Sequence, residues 1–180
     1  MKRIVWTFGL TSGAILAGMM AITMTFANKI GFDKGEVIGY STMILAFLMV
    51  YFGIRSYRDT VMAGVIGFGR AFKVGTLIVL IASACYVAAW EVIYRTMAPD
   101  FAEKYAAHAI DKARTAGATD AQIEAKNVEM AKFNEGYKNP LVNVGLTFLE
   151  VFPLGAVVVL VSAGVLSRRK SAAATPLTSP

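Results

Sequence analysis

The chain has 180 residues, of which 56% are hydrophobic and 17% are charged, and its net charge is +6. A soluble domain carries about 25% charged residues on average, so this composition argues for a single domain in a lipid bilayer and against a soluble globular protein. The positive charge does not indicate nucleic-acid binding, because the basic residues form short clusters between apolar runs. The single cysteine, Cys85, excludes an intrachain disulfide and a cysteine-based metal site.

The first apolar run, at residues 4–26, has 23 uncharged residues and follows Lys2 and Arg3. About 20 apolar residues span a bilayer, so we predict a first transmembrane helix here. A signal peptide begins in the same way, but its apolar region is shorter. Small residues recur at every fourth position and favour either a face for close helix packing or simple tolerance of glycine in membrane helices. These residues are Gly9, Gly13, Ala17 and Ala21.

A polar turn at 27–36, whose charges cancel, precedes a second predicted span at 37–54 and a basic loop at 55–73. Basic loops stay on the cytoplasmic side of a membrane, so this loop sets the direction of its neighbours. Its basic residues are Arg55, Arg58, Arg70 and Lys73. The glycine-rich middle at 61–72 predicts an interfacial segment. It does not indicate a phosphate-binding loop, because no strand precedes it.

The third predicted span, 74–94, carries Glu91 near its outer end, four residues before Arg95. That spacing is typical of a solvated ion pair. The polar region at 98–138 predicts a helical hairpin, with a first helix that reaches about Arg114 and stops at Gly117. A capping box, Thr119 to Gln122, predicts the start of the second helix. Both helices of the predicted hairpin have an apolar side. On the first helix, Phe101, Tyr105 and His108 share one face. On the second helix, a loose apolar stripe consists of Ile123, Ala125, Val128, Ala131 and Phe133.

The fourth predicted span, 141–166, contains Glu150 and, three residues later, Pro153. An acid inside a membrane helix is costly and is read by default as functional. Because Pro153 frees a backbone carbonyl one turn earlier, the two residues predict a small polar site, with Glu91 as a further carboxylate at similar depth. The alternative is a protonated or hydrogen-bonded Glu150 that joins two helices. The basic end at 168–170 precedes a tail at 171–180, which we predict to be disordered.

The charges alternate along the chain. The amino terminus carries +2, the 55–73 loop +3 and the carboxyl end +3, whereas the two other loops are neutral. Four spans with both termini in the cytoplasm require this alternation. We therefore predict an all-α integral membrane protein, one domain over 1–170, with four transmembrane helices and an extracytoplasmic helical hairpin between helices 3 and 4.

Three segments resemble the bacterial membrane proteins grouped as domain of unknown function 4199. They are residues 51–59 (YFGIRSYRD), 66–75 (IGFGRAFKVG) and 147–155 (TFLEVFPLG). The resemblance covers nearly the whole chain, from about Lys2 to Arg168. It implies a small four-helix protein of the bacterial inner membrane, with no assigned activity and no catalytic residue to carry over.

Two functions remain open at this stage. The first is a structural or interaction component of the membrane, which acts through helix packing in a homo-oligomer or with another membrane protein. The second is a small transporter or proton-coupled carrier built around Glu150. We predict no enzyme activity, because titratable groups do not converge and the only histidine, His108, lacks metal-ligand neighbours. We expect no cofactor, no metal and no nucleic acid; the partner is the lipid bilayer.

Overall fold

The structure is a computed structural model that describes residues 1–167, apart from the side chain of Asn28. The predicted basic end at 168–170 and the predicted tail at 171–180 lie outside the described residues. All regular elements in the described part are helices, as the all-α prediction required. They are α1 (Lys2–Thr25), α2 (Ala27–Ile30), α3 (Phe32–Val61), α4 (Phe68–Thr96), α5 (Phe101–Thr115), α6 (Asp120–Tyr137) and α7 (Pro140–Leu166).

Four of these described helices, α1, α3, α4 and α7, are long and apolar enough to cross a membrane. They form a bundle in which α4 packs against the other three. The order in which the residues of two helices contact each other shows whether the helices are parallel or antiparallel. On α1, Gly9 and Gly13 lie against Ile81 and Cys85 of α4, so α1 and α4 are parallel.

The other two long helices run the opposite way. Gly75 of α4 faces Val159 of α7, whereas Gly155 faces Val79, so α7 is antiparallel to α4. The Ser12 hydroxyl of α1 donates to the carbonyl of Ala46 in α3, and Phe8 lies against Gly53, so α3 is antiparallel to α1. Lys2, Arg3 and the basic residues of the 55–73 loop therefore gather at one end of the bundle, whereas α2, α5 and α6 lie at the other end, together with Lys29 and Lys34.

The centre of the bundle is a closely packed apolar core. Its members come from α3, α4 and α7 and are fully shielded from solvent; they include Phe47, Val50, Ile78, Val79 and Val151. Helix α1 completes the core with Val5 and Leu16. Because apolar groups already face apolar lipid, packing rather than a hydrophobic driving force holds such helices together.

Two boundaries differ from the sequence prediction. The polar turn at 27–36 is largely helical: it contains α2 and the first residues of α3, separated by Gly31 with a φ of 75°. At the other end α3 continues to Val61, and the segment predicted as interfacial is a short connection at 62–67 followed by the start of α4. A helix of 30 residues is about 45 Å long, which exceeds a bilayer core of about 30 Å, so charged residues at both ends can be helical outside the lipid.

Helices α5 and α6 pack against each other, and α6 also packs against α7. The predicted capping box is confirmed: Thr119 accepts a hydrogen bond from the Gln122 amide, and the Gln122 side chain accepts one from the Thr119 amide at 2.8 Å. The predicted stripe on α6 is wrong at Ala125, Val128 and Ala131, which are exposed. The residues that α6 buries are Met130 and Tyr137. Weak amphipathicity allowed this error, because few large apolar side chains distinguish one face of α6 from another.

Candidate functional site

A cleft of about 580 Å³ opens at the end of the bundle that carries α5 and α6. Its sides are the last turns of α1 and α4 and the first turns of α3 and α7, and α5 and α6 cover it. Much of the lining is apolar, with Leu16, Met20, Met43 and Phe101 among the residues that face it. Ligand sites in proteins are clefts of roughly 300–1,000 Å³ with mainly apolar walls, so the size and character of this cleft fit a small ligand.

Besides Asp100, which pairs with Lys104, two carboxylates line the cleft: Glu36 on α3 and Glu150 on α7. Both side chains belong to exposed residues, because the cleft gives solvent access to them. The Glu150 Oε1 atom lies 3.5 Å from the Tyr86 hydroxyl, which is longer than an ordinary O–H···O hydrogen bond of about 2.7 Å. Within residues 1–167 neither carboxylate forms a salt bridge. Their hydrogen-bonding capacity is therefore largely unused inside the chain.

The basic side chains at the mouth of the cleft are paired with other acids. Lys104 Nζ lies 2.8 Å from Asp100, and Lys112 Nζ lies 2.7 Å from Asp33. The hydrogen bond from Lys104 lowers the pKa of Asp100, and the bond to Asp33 raises the pKa of Lys112, so each pair is ionised at neutral pH. These pairs are well exposed and contribute little to stability. They do neutralise the positive charge that would otherwise face Glu36 and Glu150.

A buried hydrogen-bond network joins α4, α6 and α7 beside the cleft. The Trp90 indole N–H is shared between the Tyr137 hydroxyl at 2.9 Å and Asn143 Oδ1 at 3.1 Å. Thr147 donates to the backbone carbonyl of Asn143 at 2.9 Å. Burial raises the pKa of Tyr137 to about 12, so its phenol remains protonated at neutral pH. This network fixes the position of Trp90, whose ring lines the cleft.

Helix α5 is held over the cleft by aromatic contacts. Phe32 at the start of α3 contacts Phe101, Tyr105 and His108, with ring centroids 5.9, 6.1 and 5.1 Å away. The predicted shared face of these three residues is therefore confirmed. His108 Nε2 also lies 3.3 Å from Asp33. Helix α5 thus docks on α3 through these side chains and on α4 through Phe101, whose ring centroid lies 4.8 Å from that of Trp90.

The structure does not bring the three predicted buried polar residues together. Glu150 lines the cleft, but Pro153 is exposed on the outer surface of α7 and does not line it. Glu91 does not line it either; its Oε2 atom pairs with Arg95 at 2.9 Å as the spacing predicted, but its side chain is only 19% exposed, so the predicted solvated pair is solvated on the Arg95 side alone. The other cleft-lining carboxylate without a salt bridge is Glu36, which the sequence placed in a neutral turn.

The predicted packing face of α1 contacts another helix of the same chain. A Cβ atom on Gly9 would come within 2.8 Å of Ile81, and one on Gly13 within 2.6 Å of Cys85, so α4 occupies this face. Ala17 and Ala21 continue it and are half-buried. This packing face therefore allows α1 and α4 to approach each other closely.

The predicted basic loop carries its own local pairs. Asp59 lies 2.7 Å from Arg58 and 3.7 Å from Arg55. Arg70 donates to the sulfur of Met62 at 3.1 Å, and Lys73 is exposed. All of these residues are at the end of the bundle opposite the cleft, so they belong to the membrane surface and not to the site.

Sequence reasoning missed Glu36, Tyr40 and the Trp90–Tyr137–Asn143 network. A signal existed for Asn143, which is a polar amide within the fourth apolar run. No comparable signal existed for Glu36, because nearby lysines cancel its charge in any count by segment. Only the helical continuation of α3 turns it toward Glu150.

Comparison with protein families agrees with the resemblance seen in the sequence. The family described as "Protein of unknown function (DUF4199)" matches residues 7–168, and the chain belongs to that family. No curated protein matches the chain, and no solved structure does.

Proposed function

We propose that this member of a family of unknown function is a four-span protein of the bacterial inner membrane that binds a small ligand in the cleft. Both termini are placed in the cytoplasm, and α5 and α6 lie on the extracytoplasmic side. The support for this orientation is the distribution of charge: Lys2, Arg3 and the net positive 55–73 loop lie at one end, and the loops at the other end have no net charge. The cleft then opens away from the cytoplasm.

The observation that carries the proposal is the position of Glu150. A carboxylate that merely joined two helices would be buried against a hydrogen-bond donor on the neighbouring helix. Glu150 instead faces a cleft, with only a long contact of 3.5 Å to Tyr86. The proposal assigns binding to the cleft and no chemical reaction.

A carrier function would use the same cleft, but it would need a path through the bundle. Directly below Glu150 toward the basic end, Val151, Val79 and Phe47 are all fully buried. Passage would require this layer to separate, whereas binding in the open cleft leaves it unchanged. We therefore favour a binding protein over a carrier. A role in oligomer assembly through Gly9 and Gly13 has less support, because α4 already covers them.

The proposal can be tested by thiol labelling in spheroplasts. The single native cysteine is removed as Cys85→Ala, and Gly39→Cys places a thiol in the cleft, where the structure shows no atom within 4 Å of the new Cβ. The control is Thr60→Cys, an exposed position at the basic end. Membrane-impermeant methanethiosulfonates should label Gly39→Cys in intact spheroplasts and Thr60→Cys only after lysis.

Two results would contradict the proposal. If Gly39→Cys stays unlabelled in both intact and lysed spheroplasts while the protein is folded, the cleft is not open to water. If Thr60→Cys reacts in intact spheroplasts, the orientation is inverted.

A further inference from the structure

The charge inside the cleft is negative, although the whole chain is positive. Glu36 and Glu150 have no cationic partner among residues 1–167, whereas Lys104 and Lys112 are each held within 2.8 Å of an aspartate. An unpaired carboxylate in a partly desolvated cleft attracts a cation more strongly than a carboxylate in water does, because screening is weaker. The cleft therefore favours a positively charged ligand.

The walls determine what kind of cation fits. Aromatic rings that line the cleft come from α3, α4, α5 and α6 and include those of Tyr40, Tyr86, Trp90, Phe101 and Tyr105. Aromatic faces attract cations, and aromatic-lined sites are a common means of recognising quaternary ammonium groups. The methionines at the inner end, Met20 and Met43, are adaptable apolar surface. A ligand that matches both features has an ammonium group and an apolar body.

A metal ion matches the lining less well. Among residues 1–167 no three side chains of His, Cys, Asp or Glu are grouped so that they could hold one. Divalent cations such as Ca²⁺ need about 6–8 oxygen ligands, and much of the surface here is carbon. An alkylammonium ion, in contrast, loses little hydration when it enters such a cleft.

We propose that the cleft binds an organic ammonium cation with an apolar substituent, held between Glu36 and Glu150 and against the aromatic walls. This assignment rests on the proposed function, since it names the ligand class of the same cleft. The volume of about 580 Å³ accommodates a monocyclic ammonium compound with room for ordered water.

Equilibrium binding to the purified full-length protein in detergent tests the proposal. The chain has two tryptophans, Trp6 and Trp90. Trp6 is 56% exposed on the outside of α1, so Trp6→Phe leaves Trp90 as a single fluorescent reporter in the cleft wall. The probe is benzyltrimethylammonium. Its uncharged carbon isostere, neopentylbenzene, has the same shape and serves as the control ligand.

We expect a saturable change in Trp90 fluorescence with benzyltrimethylammonium and none with the isostere at equal free concentration. Glu150→Gln should weaken binding by about tenfold, because it removes one of the two unpaired negative charges that attract the cation. Glu124→Gln removes an exposed carboxylate on α6 away from the cleft and should leave the dissociation constant unchanged. If Glu150→Gln does not fold, Glu36→Gln provides the same test.

Several outcomes would overturn the assignment. Equal binding of the isostere would show that the cleft selects apolar bulk and not charge. No loss of affinity in either glutamine variant would remove the carboxylates from recognition. If Gly39→Cys is labelled from outside but benzyltrimethylammonium does not bind, only the ligand class is wrong; if Gly39→Cys is not labelled, the proposed function fails as well.

Discussion

Gly155 provides a direct test of the packing that holds α7 in the bundle. A Cβ atom added there would lie 2.5 Å from Val79 Cγ1 and 3.0 Å from Phe47 Cζ. Both neighbours are fully buried, and valine has little rotamer freedom in a helix, so neither side chain can move aside easily. Overpacking of this kind costs about 1–3 kcal/mol, from which the better helix propensity of alanine subtracts up to about 1 kcal/mol.

The matched control is Gly164→Ala on the same helix, where the structure shows no atom within 4 Å of the new Cβ. Both variants gain the same propensity, so their difference in free energy of unfolding isolates the steric cost. We expect Gly155→Ala to be less stable than Gly164→Ala by about 1–3 kcal/mol. Unfolding in mixed micelles with increasing sodium dodecyl sulfate, followed by far-UV circular dichroism, measures this difference. Equal stability of the two variants would refute the close approach of α7 to α3 and α4.

Three further predictions concern polar contacts. Trp90→Phe removes the donor shared by Tyr137 and Asn143 and should lower the free energy of unfolding in the same assay by about 1–3 kcal/mol, because buried acceptors lose their partner. Asp33→Asn removes the charge paired with Lys112 and should speed hydrogen exchange in α5 while global unfolding stays unchanged; equal exchange rates would show that the pair does not hold the cover. Ser12→Ala removes a buried bond to a backbone carbonyl and should cost only about 0.6 kcal/mol, the average for such bonds in membranes.

The all-α fold and its long apolar helices were predictable because the signal is strong and local. Apolar runs of 18 to 26 residues with at most one charge leave no alternative to a helix in lipid, and the capping box at Thr119 marks the start of α6. The ends of the helices were less predictable. Residues 27–36 look like a loop because they are charged, but once a helix such as α3 is nucleated in lipid it can continue into water at little cost.

The cleft was predictable only in part. Glu150 was identified because an acid in an apolar run is rare, and that reasoning needs no knowledge of its neighbours. Pro153 was grouped with Glu150 because it is close in sequence, and Glu91 because it lies at a similar depth in the membrane. Neither criterion specifies in which direction a side chain points around its helix. Pro153 lies three residues beyond Glu150, and the structure places it on the outer surface.

The packing around Glu150 also indicates where movement can occur. One residue further along α7, Val151 is fully buried, and one turn further Gly155 lies against Val79 and Phe47 too closely to admit a methyl group without displacement. On the other side of Glu150 the cleft is bounded by α5, which contacts Phe32 and Trp90 through its rings and buries Ala102. The cleft opens at this end of the bundle, whereas the layer at Val151 is closely packed, so entry from this end leaves the packed core unchanged. The cleft is therefore suited to binding from one side of the membrane, and passage through it would need a second conformation of the core.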